Sequence, residues 1–471
     1  MDPTTNRINL SSGGGSEQFI LELDTNTSVN PTGDIYLSGV DFDSSGNAVV
    51  VGQTYTETTN SIPVALICKI NKTGTSVDWS KTFSKSGEPD NLMAVRVNRS
   101  ESGEPIYASG DSGTYVTHLT GSFTDATLKK FAQDGTTTWQ VEWGNNAYDQ
   151  FTDLTFDSSN NIYLAGTAYP WQSGIAISSF NSSGVHQWGI KKEMATTENA
   201  NYIVTDSSGD LWWGGRDNHN TSDAWVGKYN TSGTRLNSWK FSNAADLLYG
   251  LDTDASGNVY VMVDSNNSWI GTSGTISGNS GTIMQMNANG NWTWAMQSGG
   301  SSGANYGYGI CCDKTVSQGD VYGFSHASTI LTGTSHAGIY VVKRSYAGST
   351  IWSRMFTKST GYVTFPGGNL TIKCDGEYLY MIGTTQISGQ PVRPWLIKYP
   401  VDGSATGTFG DWTITAMTDG QNNYHAHDNN FLSSWSFWAG GEYSVTYDQT
   451  SQTVQQTEAT GTITTGNKEN L

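Results

Sequence analysis

Charge is scarce in this chain of 471 residues, where Asp, Glu, Lys and Arg together make up 14%, against about 25% in an average domain. Basic residues are scarcer still, 24 Lys and Arg against 42 Asp and Glu, giving a net charge of −18. An acidic surface without a basic run repels phosphate backbones and anionic headgroups, which excludes nucleic-acid binding as a main role. No stretch approaches the roughly 18–20 apolar residues of a membrane span, so no membrane insertion is expected. Only four cysteines occur, Cys68, Cys311, Cys312 and Cys374, and none forms a CxxC metal-ligand pair. The N-terminus, MDPTTNRINLSSGGGSEQ, lacks a charged region followed by an apolar one. A Sec signal is therefore not expected, and the chain is read as made in a cytosol without one.

Hydrophobic residues are also few, at 36%, and Ser, Thr, Asn and 55 glycines fill the gap. Disorder does not explain this, because disordered chains lack aromatics and this one has 17 Trp, 23 Tyr and 15 Phe. Many aromatics and turn formers with few helix formers predict an all-β protein of many short strands.

An internal repeat gives the architecture. A turn recurs at Lys69–Gly74, Lys130–Gly135, Ser179–Gly184, Lys228–Gly233, Gln285–Gly290, Lys343–Gly348 and Lys398–Gly403, always spanning five residues. A tryptophan follows in six copies: Trp79, Trp139, Trp188, Trp239, Trp294 and Trp352. In the seventh, Phe409 and Trp412 compete for the place. Upstream of each lies an Asp-led turn and a strand ending in glycine, as in DSSGNAVVVG at 43–52, DSSNNIYLAG at 157–166 and DSSGDLWWGG at 206–215. Looser versions run from Asp313 and Asp375, and Asn98 takes the Asp place in the second copy. Asp and Asn bond their own backbone in such turns while Gly takes φ > 0.

Each unit reads as four short strands, and a four-stranded antiparallel unit repeated about every 50 residues is a β-propeller blade. The expected fold is a seven-bladed β-propeller of four-stranded antiparallel blades over 36–418. A polar N-terminal arm with one strand (1–35) precedes it, and a β-prone C-terminal extension (419–471) follows. The strand Phe19–Asp24 has the phase of a third strand and is read as completing the ring or pairing with a neighbouring chain. The extension has few apolar positions for a core of its own and is read as an attachment or oligomerisation segment, open to homo-oligomer contacts.

The D-S-S-G-N-x-Y-x-x-G and K-Y-N-x-S-G-x-x-x-W patterns resemble the β-propeller repeat family labelled SBBP, over about residues 36–412. This resemblance implies the scaffold, a setting in secreted bacterial proteins or in virion proteins of marine bacteriophages, and no shared catalytic residues.

Few residues point to chemistry. Asp43, Asp157, Asp206 and Asp254 stand one per blade without a D-x-D-x-D-G loop, so structural turns are expected rather than calcium ligands. The repeated Lys69, Lys130, Lys228, Lys343 and Lys398 are expected to pair with a neighbouring blade's Asp rather than to line an anion channel. His425-Ala-His427 offers half of a metal site with no third ligand evident, so a surface role is expected. Cys311 and Cys312 are read as two buried small hydrophobes, and Trp225 and Trp395 as structural. Trp171, Trp269, Tyr424, Trp435 and Trp438 are the candidates for glycan or partner contact. No G-x-S-x-G elbow, P-loop or H-E-x-x-H occurs, and Asp boxes of the sialidase type are not matched. No catalytic residue, metal or cofactor is expected.

The expected function is a non-enzymatic structural or binding module of a bacteriophage virion, in a tail, fibre or capsid surface. Its partners would be other virion proteins and host surface polysaccharide. The alternatives are a secreted adhesin or lectin-like propeller, and a polysaccharide-degrading depolymerase whose paired carboxylates come from different blades.

Overall fold

The computed structural model describes residues 6–9, 17–25, 34–55, 63–84, 89–113, 124–143, 149–168, 174–193, 199–217, 223–240, 246–267, 277–298, 305–327, 337–364, 371–417 and four short segments at 425–426, 442–444, 457–459 and 463–465. All regular structure among them is β, in antiparallel blades of four strands set around an axis. Blade one contains Ile35–Phe42, Ala48–Tyr55, Pro63–Ile70 and Val77–Ser84, from the axis outward. The innermost strands of blades two to six are Asn91–Val97, Asp149–Phe156, Asn199–Thr205, Asp246–Thr253 and Asn305–Cys312. Blade seven has an interrupted inner strand, Tyr362–Thr364 and Ile372–Cys374, both paired with Tyr378–Gln386.

Local chemistry sets each turn. Asp43 Oδ1 accepts the amides of Ser45 at 3.0 Å and Asn47 at 2.9 Å, and its Oδ2 accepts Asn47 Nδ2 at 2.8 Å. Asp157 and Asp254 repeat the arrangement with Asn161 and Asn258. Six inner strands carry a register shift near their start, as between Phe151 and Asp153. A glycine within the second strand of blades one to three answers this bulge: a Cβ on Gly52, Gly110 or Gly166 would lie 1.9–2.0 Å from the carbonyl oxygen of Tyr36, Asn91 or Gln150.

The third strand of blade seven, Arg393–Pro400, pairs with Phe19–Thr25. The N-terminal strand thus closes the ring in the fourth, outermost place, not the third that its phase suggested. Phe19 stands opposite Lys398 as Trp79 stands opposite Lys69. Phe19, not Phe409 or Trp412, is the seventh repeat aromatic. Each of the seven lies across the left-handed turn glycine of the next blade, Trp79 on Gly135, Trp352 on Gly403 and Phe19 on Gly74 among them. The indole N–H groups of Trp79, Trp188, Trp294 and Trp352 donate to carbonyls of those neighbouring turns at 2.9–3.0 Å. Trp412 is instead buried in a strand added to the edge of blade six, edge-on to Trp395 at 5.7 Å.

Blade faces bury the core as clusters between neighbours, such as Val49, Val51 and Ile67 of blade one with Val95 and Ile106 of blade two. Outside the ring, the C-terminal chain covers blade edges. Trp412–Ala416 pairs with blade six, His425–Ala426 with blade five, Glu442–Ser444 with blade three, Thr457–Ala459 with blade one and Ile463–Thr465 with the closing strand of blade seven. The described pieces of the extension therefore pair with the chain's own blades, running backwards around the ring. A polar, β-prone segment needs no core of its own there, because an open edge supplies the amides and carbonyls it lacks.

Candidate functional site

The candidate contact residues Trp171, Trp269, Tyr424, Trp435 and Trp438 lie outside the described residues, as does His427. Trp225 and Trp395 are fully buried in the third strands of blades four and seven. Cys311 and Cys312 are buried free thiols at the end of the inner strand of blade six. Burial pushes both thiols well above their ordinary range, which leaves them without thiolate reactivity.

The repeated lysines pair with the acids of their own blade, not with those of a neighbour. Lys69 lies 2.8 Å from Asp43, Lys228 lies 3.2 and 3.0 Å from Asp206 and Asp210, and Lys343 lies 3.0 Å from Asp320. Third-strand lysine and Asp turn emerge at the same end of a blade, one strand apart, which makes this the shorter reach. Each lysine then donates across to the next blade's turn, as Lys130 to the Ser182 carbonyl at 3.3 Å and Lys228 to the Ala288 carbonyl at 3.2 Å. These residues fasten blades and do not line the axis.

A different column of the repeat lines the axis. Two residues before the leader of each Asp-type turn stand Asp41, Arg96, Thr155, Val204, Asp252, Cys311 and Lys373, one from every blade. All seven border one cavity of about 400 Å³, in the size range of small-molecule sites. Arg99, Lys314 and the exposed Ser100 and Ser158 border it on the side of the Asp turns.

Its charges are mostly committed to one another. Asp41 Oδ1 meets Arg99 at 3.1 Å, while Oδ2 accepts the Val97 amide of blade two at 2.8 Å. Asp153 receives Arg96 at 2.9 Å and the Ile203 amide at 3.1 Å, and Asp252 receives Lys314 at 2.6 Å and the Cys312 amide at 2.9 Å. Each carboxylate therefore ties its own blade to the next. Burial raises the Asp41 pKa, but Arg99, Arg96 and Lys373 outweigh it and the carboxyl is held below its ordinary value. Asp252 behaves alike through Lys314 and Lys373. At Asp153 burial prevails over Arg96 and the pKa is raised. Lys373 makes no ion pair among the described residues. Burial, and then repulsion from Arg96, lower its pKa to about 8 against the pull of Asp252, Asp153 and Asp41.

The inference from sequence missed this site. Its signal was present as a repeat column whose members differ in charge and size from blade to blade.

Fold and axial cavity define a seven-bladed β-propeller with a charged central site. No known protein family matches the sequence, and no curated protein does. Among solved structures, a protein of unknown function from Dyadobacter fermentans is 9% identical, with 83% of this chain and 100% of that one covered, at a TM-score of 0.42. An acylaminoacyl peptidase from Pyrococcus horikoshii is 10% identical, with 77% and 50% covered, at 0.43. A periplasmic gluconolactonase from Pseudomonas aeruginosa is 9% identical, with 74% and 95% covered, at 0.41. Likeness at this level carries no chemistry over to this chain.

Proposed function

We propose that the chain is a non-enzymatic structural and binding module of a bacteriophage virion, displayed on a tail, fibre or capsid surface. The observation that supports it is the treatment of the edges. The N-terminal strand closes the ring on blade seven, and the C-terminal segments add strands to blades one, three, five, six and seven. A ring held at both chain ends resists opening, and its covered edges do not recruit stray strands. Both properties suit a rigid unit presented outside a cell. The SBBP-like repeat belongs to the same proposal. The test is proteomics on density-purified particles from the source culture, with immunogold labelling against this chain. Labelling at a tail or capsid position is expected. Recovery only in particle-free fractions overturns the virion setting and moves the secreted adhesin ahead.

The axial cavity favours one further element of this reading, a ligand-binding role of the ring itself. The paired carboxylates of a depolymerase are poorly supported there, since Asp41, Asp153 and Asp252 are each occupied by a cation and a backbone amide.

A further inference from the structure

We propose that the axial cavity binds a small hydroxylated monocarboxylate, an acidic sugar of the uronate class, with its carboxylate on Lys373. The inference goes beyond the virion setting and does not depend on it.

The lysine left without an ion pair among the described residues carries it first. Arg96, Arg99, Lys314 and Lys373 border one cavity with Asp41, Asp157 and Asp252; Asp157 is held by its own turn and Tyr163, and Asp153, outside the lining, pairs with Arg96. Three of the four cations are spent on Asp41, Asp153 and Asp252 at 2.6–3.1 Å. Lys373 is left over, half-buried on the inner strand of blade seven, inside a protein whose net charge is −18. A desolvated cation without a counter-ion costs free energy, and one monoanion removes that cost. A dianion overshoots that single unpaired cation and meets the Asp41, Asp157 and Asp252 carboxylates on the lining, which disfavours phosphate.

Shape and lining narrow the class. About 400 Å³ accommodates a single sugar ring with its first waters and little more. Thr155 and Thr205 hold hydroxyls 3.1 Å apart; one donates to the other, which leaves one O–H and acceptor capacity on both, and Ser158 stands at the mouth. Val204 supplies apolar surface for the C–H face of a ring. A simple carboxylate such as acetate satisfies Lys373 and leaves those hydroxyls to water.

The groups facing Lys373 are Arg96 from blade two, Asp41 from blade one, Asp153 from blade three and Asp252 from blade five, with Lys314 paired to Asp252. Their combined setting makes the Lys373 charge fall as pH rises through about 8. Binding of a carboxylate there weakens over the same interval.

The test is isothermal titration calorimetry of the full chain with sodium glucuronate, glucose, acetate and inorganic phosphate. Glucuronate is expected to bind one per chain and at least about tenfold more tightly than the other three. Lys373→Met should weaken it by about tenfold or more, and Lys373→Arg should retain it. If Lys373→Met fails to fold, the pH series on the unaltered chain decides, with affinity expected to drop about tenfold from pH 7 to pH 9. Absence of glucuronate binding overturns the proposal. So does phosphate binding equal to glucuronate, or affinity indifferent both to Lys373→Met and to pH. None of these outcomes bears on where the chain resides, so failure here and failure of the virion setting are separable.

Discussion

Phe19 lies flat across Gly74, with ring carbons 2.9 Å from where a Cβ on that glycine would stand. The contact joins the ring-closing strand Phe19–Thr25 to the first blade and completes a set of seven aromatic-on-glycine contacts. Phe19 is also buried to 1% exposure. Phe19→Ala is therefore expected to destabilise by about 3 kcal/mol, the cost of emptying a packed phenylalanine site. Phe19→Trp restores the residue found at the other six positions and should cost little. Urea midpoints of the two variants check this; equal midpoints would mean that the closing contact contributes nothing.

How much of this was legible in the sequence varies with the range of the contact. The seven turns, the blade order and the strands within each blade follow from local patterns, because a blade pairs strands adjacent in sequence. Ring closure was half legible. Seven turn glycines and only six tryptophans implied a missing aromatic, but Phe19 meets Lys398 across nearly the whole chain, and Trp412 stood nearer in sequence. The cavity was hidden for another reason. A repeat search rewards columns that stay the same, while Asp41, Arg96, Asp252 and Lys373 share a column by differing.

Lys228 illustrates what the repeated lysines contribute. Its ammonium meets Asp206 at 3.2 Å and Asp210 at 3.0 Å, and the Asp206 side chain is 1% exposed. Lys228→Met leaves the buried Asp206 charge uncompensated and should cost about 3 kcal/mol. Lys72 pairs with Glu17 at 2.9 Å but is 51% exposed, so Lys72→Met should change stability by less than about 0.5 kcal/mol. Denaturant titrations of both variants at one ionic strength make the comparison, and similar losses would refute the blade-fastening role.

Asp111, in the second strand of blade two, gives the protein a pH-dependent weakness. Burial, and then the nearby Asp90 charge, push its pKa from 3.8 to about 7, and its Oδ1 has no hydrogen-bond partner among the described residues. The folded state thus holds a proton that the unfolded state has released. Stability is unpenalised below about pH 4, falls as pH rises to about 7, and is flat above, by a total on the order of a few kcal/mol. Asp111→Asn keeps the shape and removes the ionisation. Its melting temperature should match the unaltered chain near pH 4 and exceed it at pH 8. A constant offset between the two across that interval would show that Asp111 does not titrate as described.

The covered edges lead to a prediction about association. In blades one, three and five the outermost strands, Val77–Ser84, His186–Glu193 and Trp292–Ser298, each receive a short antiparallel segment from beyond residue 418. Their strand pairing occupies amides and carbonyls that would otherwise face outward. A chain ending at residue 418 keeps the closing strand Phe19–Thr25 and the edge strand Trp412–Ala416. It should therefore still unfold cooperatively, with a modest loss of stability. Its bare edges should pair with one another, giving concentration-dependent dimers and larger species in sedimentation velocity where the full chain shows less association. The contrary result, a full chain that oligomerises and a shortened one that stays monomeric, would mean that the extension joins copies instead of shielding them.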